Sequence, residues 1–198
     1  MQFYSIYADS ESYRTIAFDR NKMFEEYGSL RNHFNLNYEA RPFANKIKMP
    51  FNISLNGEQS DFSGHKIPDI SEHYGRLFLT EKAYEVVKDI IKNDGEFLPV
   101  ICDGVKAYIF NTLSLAESVG GLDTELSSKD EMGNRTNIAF HANNVKEFSI
   151  FKTEFDHFIS AYCQQSLKEA IESAELKGVF FTANLGNRLA KKPIESWR

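Results

Sequence analysis

Residues 75–111 read GRLFLTEKAYEVVKDIIKNDGEFLPVICDGVKAYIFN and carry the clearest local signals in the chain. Leu77, Phe78 and Leu79 form an apolar run short enough for a buried strand. Thr80 stands at a good N-cap position, and Glu81 puts negative charge in the first turn, near the positive end of the helix dipole. Ala83, Tyr84, Val87, Ile90 and Ile91 recur at helical spacing, with Val86 at the edge of the stripe. Lys82, Glu85, Lys88, Asp89 and Lys92 fall mostly on the other side. Glu85 with Lys88, or Asp89 with Lys92, are spaced for surface pairs contributing a few tenths of a kcal/mol. Asn93-Asp94-Gly95 ends the helix, since glycine reaches the left-handed conformation without steric cost. Residues 97–102 read as a strand, Asp103-Gly104 as a two-residue hairpin turn and 105–110 as the return strand. Pro99 lacks a donor and argues for an edge position or a bulge.

On the N-terminal side, residues 3–8 read as a strand, 9–12 as a polar turn and 14–18 as a second strand paired with the first. Met23, Phe24, Tyr27 and Leu30 are spaced for a short helix that Gly28 weakens. Residues 47–55 make a strand candidate containing Pro50, and 56–64 a loop. On the C-terminal side, 112–119 fits one or two helical turns, broken by Gly120-Gly121. Residues 121–135 read as a surface loop, and 136–140 and 147–151 as strands around a turn at 141–146. Phe155, Phe158, Ile159, Tyr162, Cys163, Leu167, Ala170, Ile171 and Ala174 then share a helical period. Two readings fit them: one long helix from about 155, or a strand ending at Phe158-Ile159, a Ser160 cap and a helix over 161–175. The second is preferred because it repeats the order strand, hydroxyl cap, amphipathic helix, glycine, aromatic strand seen around Thr80 and Gly95, here with Gly178 and Phe180. The fold class expected is α+β: a single domain, a mainly antiparallel sheet packed against two principal helices at about 80–93 and 161–175. The strands alternate imperfectly, so their order in the sheet stays open. Residues 187–198 form a basic, proline-containing tail.

The chain has 198 residues, 42% hydrophobic and 26% charged, which is ordinary for a folded soluble protein. Its 17 Phe and nine Tyr supply large buried area. A net charge of −5 argues against a general nucleic-acid binder and favours a basic protein partner. Cys102 and Cys163 are too few for a disulfide framework and are expected as free buried thiols. The opening MQFYSIYADSESY lacks a basic n-region and an apolar h-region, and no apolar run approaches the ~20 residues of a membrane span. A cytoplasmic location, with no membrane partner, is the expectation.

No phosphate loop, dinucleotide fingerprint, nucleophile elbow or zinc-protease helix is present. His65 and His73, near Asp69 and Glu72, could approach one metal, but their spacing favours solvated loop histidines. Glu96 and Asp103 lie seven positions apart on one strand, so they point to opposite faces and make a poor acid–base pair. Cys163 with His157 lacks an orienting third group and reads better as a core thiol. No catalytic, cofactor-binding or metal-ligating residue is assigned.

The order PDIS, GRLFLTEKAYEVVKDI, GEFLPVICDGVKAYIFN, GGLDTELS, EFSIFK, HFIS and LKGVFF resembles a family of immunity proteins from bacterial polymorphic-toxin and contact-dependent competition systems. The likeness covers about 68–182, while 1–67 match only in being variable and strand-rich. The division it implies is an N-terminal part over 1–67, an immunity-like core over 68–186 and the tail 187–198, all within one compact domain. Tyr108-Ile109-Phe110-Asn111 departs from the family's usual two consecutive aromatics. The resemblance implies a cytoplasmic protein, with no catalytic motif, that binds and neutralises a cognate toxin stoichiometrically. The alternative is a small cytoplasmic enzyme or ligand-binding domain with an unrecognised polar site. Asp123, Glu125, Asp130 and Glu131 form an acidic segment bracketed by Gly120-Gly121 and Gly133. It is expected to be exposed, mobile and free of regular structure. It reads either as an ordinary solvated loop or as a docking surface for a basic toxin.

Overall fold

The computed structural model describes residues 1–18, 37–56 and 66–186. The helix candidate at Met23 to Leu30, nearly all of the 56–64 loop and the 187–198 tail lie outside them. Among the described residues the strands are β1 (Phe3–Ala8), β2 (Ile16–Ala17), β3 (Phe51–Leu55), β4 (Ile70–His73), β5 (Arg76–Thr80), β6 (Gly95–Cys102), β7 (Val105–Thr112), β8 (Ser128–Lys129), β9 (Arg135–Asn137), β10 (Ile150–Phe151), β11 (Ala161–Gln164) and β12 (Val179–Thr182). The helices are α1 (Glu81–Ile91) and α2 (Gln165–Ser173), with a 3-10 turn at Ala116–Val119.

The expected centre of the chain forms as its residues dictate. Thr80 caps α1, its hydroxyl accepting from the Ala83 N–H, and Ala83, Val87 and Ile91 are buried. Both surface pairs close, Lys88–Glu85 at 2.5 Å and Lys92–Asp89 at 2.9 Å. Asp103 and Gly104 both take positive φ, as a tight hairpin with the twist of its strands requires. The strand order β2-β3-β6-β7-β5-β4 makes a six-stranded sheet, antiparallel except for β3 beside β6. A second sheet, β10-β11-β1-β12, is antiparallel throughout. The α+β class with a mainly antiparallel sheet therefore holds, with two main sheets rather than one and a separate β8–β9 ribbon.

The period-2 alternation of β5 and β7 divides the apolar residues. Leu77, Leu79 and Phe110 face α1 and α2 in a cluster that also takes Ile6, Ala161 and Cys163 from the second sheet. Phe78, Leu98 and Ile109 face a second cluster closed by Phe43, Ile47 and Phe51. A third cluster, with Phe3, Phe151 and Tyr162, lies on the far face of the smaller sheet.

Several expectations are corrected. The 14–18 strand shrinks to Ile16–Ala17 and pairs with β3, not β1. The 47–55 strand begins only at Phe51, after the cis Met49-Pro50 bond. Pro99 sits in an interior strand, but the β3 register stops at Phe51–Val100, so no strand faces it on that side. Gly95 is not a left-handed stop. It opens β6, and a Cβ there would lie 2.2 Å from the Asn111 carbonyl oxygen, so close approach explains the glycine. Neither reading of 155–175 holds as stated. Residues 161–164 form β11, and α2 starts only at Gln165, without a side-chain cap. Ala161, Tyr162 and Cys163 are all buried, so β1 on one side and β10 on the other claim a segment whose apolar period also fits a helix. Ser160 is no cap; it joins the buried polar cluster described next.

Candidate functional site

A cleft of about 780 Å³ opens where β1 approaches the β4–β5 hairpin. Tyr7 and Ala8 come from β1, Glu72 and His73 from β4, Arg135 from β9, and Ser160 precedes β11. An adjoining cavity of about 270 Å³ shares Asn134, Arg135 and Ile159.

Glycine sets one wall. Tyr74 and Gly75 form a two-residue turn with φ of 49° and 73°. A Cβ on Gly75 would sit 2.5 Å from Lys152 Cε and 2.8 Å from the Phe158 carbonyl oxygen. The Gly75 N–H donates to Glu72 Oε1 at 2.6 Å, which turns the Glu72 carboxyl inward. Burial then pushes its pKa up to about 8, against that hydrogen bond and the Lys152 and Arg135 charges. Glu72 is therefore a neutral acid at pH 7. His73 is held down at about 4 by burial and by Arg76, so it is neutral too.

Arg135 anchors the floor. Its side chain is 3% exposed and its Asp156 partner 1%. Nη1 donates to Asp156 Oδ2 at 2.6 Å, Ser160 Oγ at 2.6 Å and the Tyr162 hydroxyl at 2.7 Å. Nη2 reaches the Tyr7 hydroxyl at 3.2 Å, and Nε has no hydrogen-bond partner. Burial raises the Asp156 and Tyr162 pKa values, so Tyr162 stays a phenol that donates to Asp156 at 2.8 Å.

Lys152 and Arg76 lie behind this wall. Lys152 is fully buried, its ammonium donating to the Tyr38 carbonyl at 3.0 Å, and burial with the Arg76 charge lowers its pKa to about 7. Arg76 donates to Asn111 Oδ1 at 3.1 Å and to the Asn37 carbonyl at 2.5 Å, and burial lowers it to about 9. Asn111 in turn bonds Glu96, whose carboxylate accepts the Phe43 and Ala44 N–H groups at 2.6 and 3.1 Å. These bonds tie the 37–47 segment to the sheet. They also give Glu96 a structural role, as a 3.3 Å bond from the Leu55 N–H does for Asp103.

Sequence reading missed this cleft. Its charged and hydroxyl groups come from four separated segments, and their burial depends on partners tens of residues away. The one local hint was Lys152, a cation between Phe151 and Thr153 in a strand-like run. Of the weighed histidines, His65 lies outside the described residues, His73 packs on the Tyr74 ring at 4.8 Å, and His157 is exposed while Cys163 is buried. Among the described residues no three His, Cys, Asp or Glu side chains converge as metal ligands.

The acidic residues stand on a hairpin, part of which is regular structure rather than loop: β8 pairs with β9. Asp123 and Asp130 make its turns. Asp123 Oδ1 accepts the Glu125 and Leu126 N–H groups at 3.1 and 3.0 Å. Asp130 Oδ1 accepts those of Met132 and Asn134 at 3.0 and 2.7 Å. Glu125, Asp130 and Glu131 are exposed, as expected, and Asp123 is half-buried. Arg135, inside the expected surface loop, is instead buried in the cleft floor. Leu126 and Met132 stand 62% and 86% exposed on the same hairpin. Lys129 lies over the Phe155 ring, 4.6 Å from its centre.

No described helix is long and apolar enough to cross a membrane. Comparisons with protein-family models and with curated proteins find no match for this chain.

Proposed function

We propose that this chain is an immunity protein that binds a cognate bacterial toxin one to one and neutralises it, acting in the cytoplasm. The reading rests on the resemblance over 68–182, and one observation carries it further. Residues 122–137 hold Glu125, Asp130 and Glu131 in water together with two large apolar side chains, Leu126 and Met132. Exposed apolar anchors with a charged surround are the composition of a protein-binding patch. The negative charge suits a toxin whose own site is basic because its substrate is a nucleic acid or nucleotide.

The second reading is a small enzyme or ligand-binding domain. The cleft between β1 and the β4–β5 hairpin favours it, because charged and neutral titratable groups converge there on an apolar wall. The test is co-expression with the C-terminal domain encoded by the gene immediately upstream. Growth arrest by that domain, relieved by this chain and accompanied by a co-purifying 1:1 complex, is the expected result. A harmless domain, or arrest that this chain leaves untouched, overturns the proposal.

A further inference from the structure

We infer that the cleft between β1 and the β4–β5 hairpin binds a small molecule through an oxyanion, a carboxylate or phosphate group seated on the Nε/Nη2 edge of Arg135. The inference rests on the cleft being a ligand site, the second reading above, and is independent of toxin neutralisation. A guanidinium presents two N–H groups side by side along that edge, spaced for two oxygens of one anion. The bonds to Asp156, Ser160 and Tyr162 all leave from Nη1, which orients the group and leaves the other edge toward Tyr7. Nε has no hydrogen-bond partner although the side chain is 97% removed from solvent, and such buried donors are rare unless something else satisfies them.

The surroundings suit an anion. Asp156 neutralises Arg135 from the far edge, so it does not occupy the position an anion would take. Glu72 is the carboxyl among the described residues that line the cleft, and its burial keeps it protonated at neutral pH, a hydrogen-bond donor rather than a competing charge. Ile6, Ala8 and Ile159 line the remaining wall and fit an apolar or aliphatic body behind the charged group.

The experiment uses the full chain labelled with ¹⁵N-arginine at neutral pH and follows the Arg135 Nε–H resonance. Four titrants are compared: inorganic phosphate, succinate, neutral succinamide, and sodium chloride at matched ionic strength. The expected result is a saturable shift with phosphate or succinate, the tighter of the two naming the oxyanion, and none with succinamide or chloride. Arg135→Lys keeps the charge but loses the fork, and should weaken binding by roughly tenfold. Should that variant fail to fold, the wild-type titration decides alone. No saturable shift with either oxyanion, or unchanged affinity in a folded Arg135→Lys, overturns the inference. An equal response to succinamide also overturns it, while leaving the cleft a ligand site of another class.

Discussion

Replacing Asp156 by alanine removes the carboxylate that neutralises Arg135. The two side chains are 1% and 3% exposed and 2.6 Å apart, so the pair interacts with little screening from bulk solvent. Stranding one member of a buried ion pair costs about 3–5 kcal/mol. For a chain of this size each kcal/mol lowers Tm by about 2–4 °C, so Asp156→Ala should melt roughly 6–20 °C below wild type. Asp156→Asn, which keeps an acceptor near Nη1, should fall between. The double variant Arg135→Met with Asp156→Leu removes both charges and should recover most of the loss. Because the pair is buried, the deficit should be nearly the same at about 0.1 and 1 M salt. Denaturant unfolding with thermal melts is the assay. A loss below about 1 kcal/mol in Asp156→Ala, or one that salt erases, would refute the claim that these two buried charges depend on each other.

Three other outcomes follow from named contacts. Gly95→Ala should destabilise by more than about 2 kcal/mol, because the added Cβ meets backbone at 2.2 Å and not a yielding side chain; a neutral urea midpoint would refute this. Glu72 has a folded pKa near 8 against 4.5 unfolded, so from about pH 4.5 to 8 the folded state keeps a proton that the unfolded state releases, and stability falls as pH rises. Glu72→Gln should remove that slope, at most about 1.4 kcal/mol per pH unit, and gain on wild type toward pH 8; parallel stability–pH curves would contradict it. Glu125→Gln with Glu131→Gln leaves the Asp123 and Asp130 turns intact, so Tm should hold while association with the upstream-encoded domain slows several-fold at low salt and converges with wild type at high salt. An unchanged on-rate at both salt concentrations removes the hairpin's charge from the interface.

How much the sequence conveyed depended on how local each cause was. Helix α1 was readable because its cap, its stripe and its surface pairs lie within one short segment. The Asp103-Gly104 hairpin was readable for the same reason. Strand β11 was not, since Ala161-Tyr162-Cys163 carries no polar alternation and only pairing with β1 and β10 distinguishes strand from helix. The Tyr74-Gly75 turn escaped because tyrosine at its first position is not a turn residue by composition. The exposed acids were placed on the surface by their charge and by the glycines that bracket them. The cleft was invisible because Glu72, Arg135 and Asp156 look like ordinary solvated charges until the fold brings them together.

Titrating the C-terminal domain encoded immediately upstream with this chain, while following whatever toxic activity that domain has, tests the proposed neutralisation by binding most directly. Activity should fall linearly and reach zero at one equivalent. Full protection at a small fraction of an equivalent would reveal catalysis in place of binding, and full activity at excess would show that the chain does not neutralise this domain; either contradicts the account.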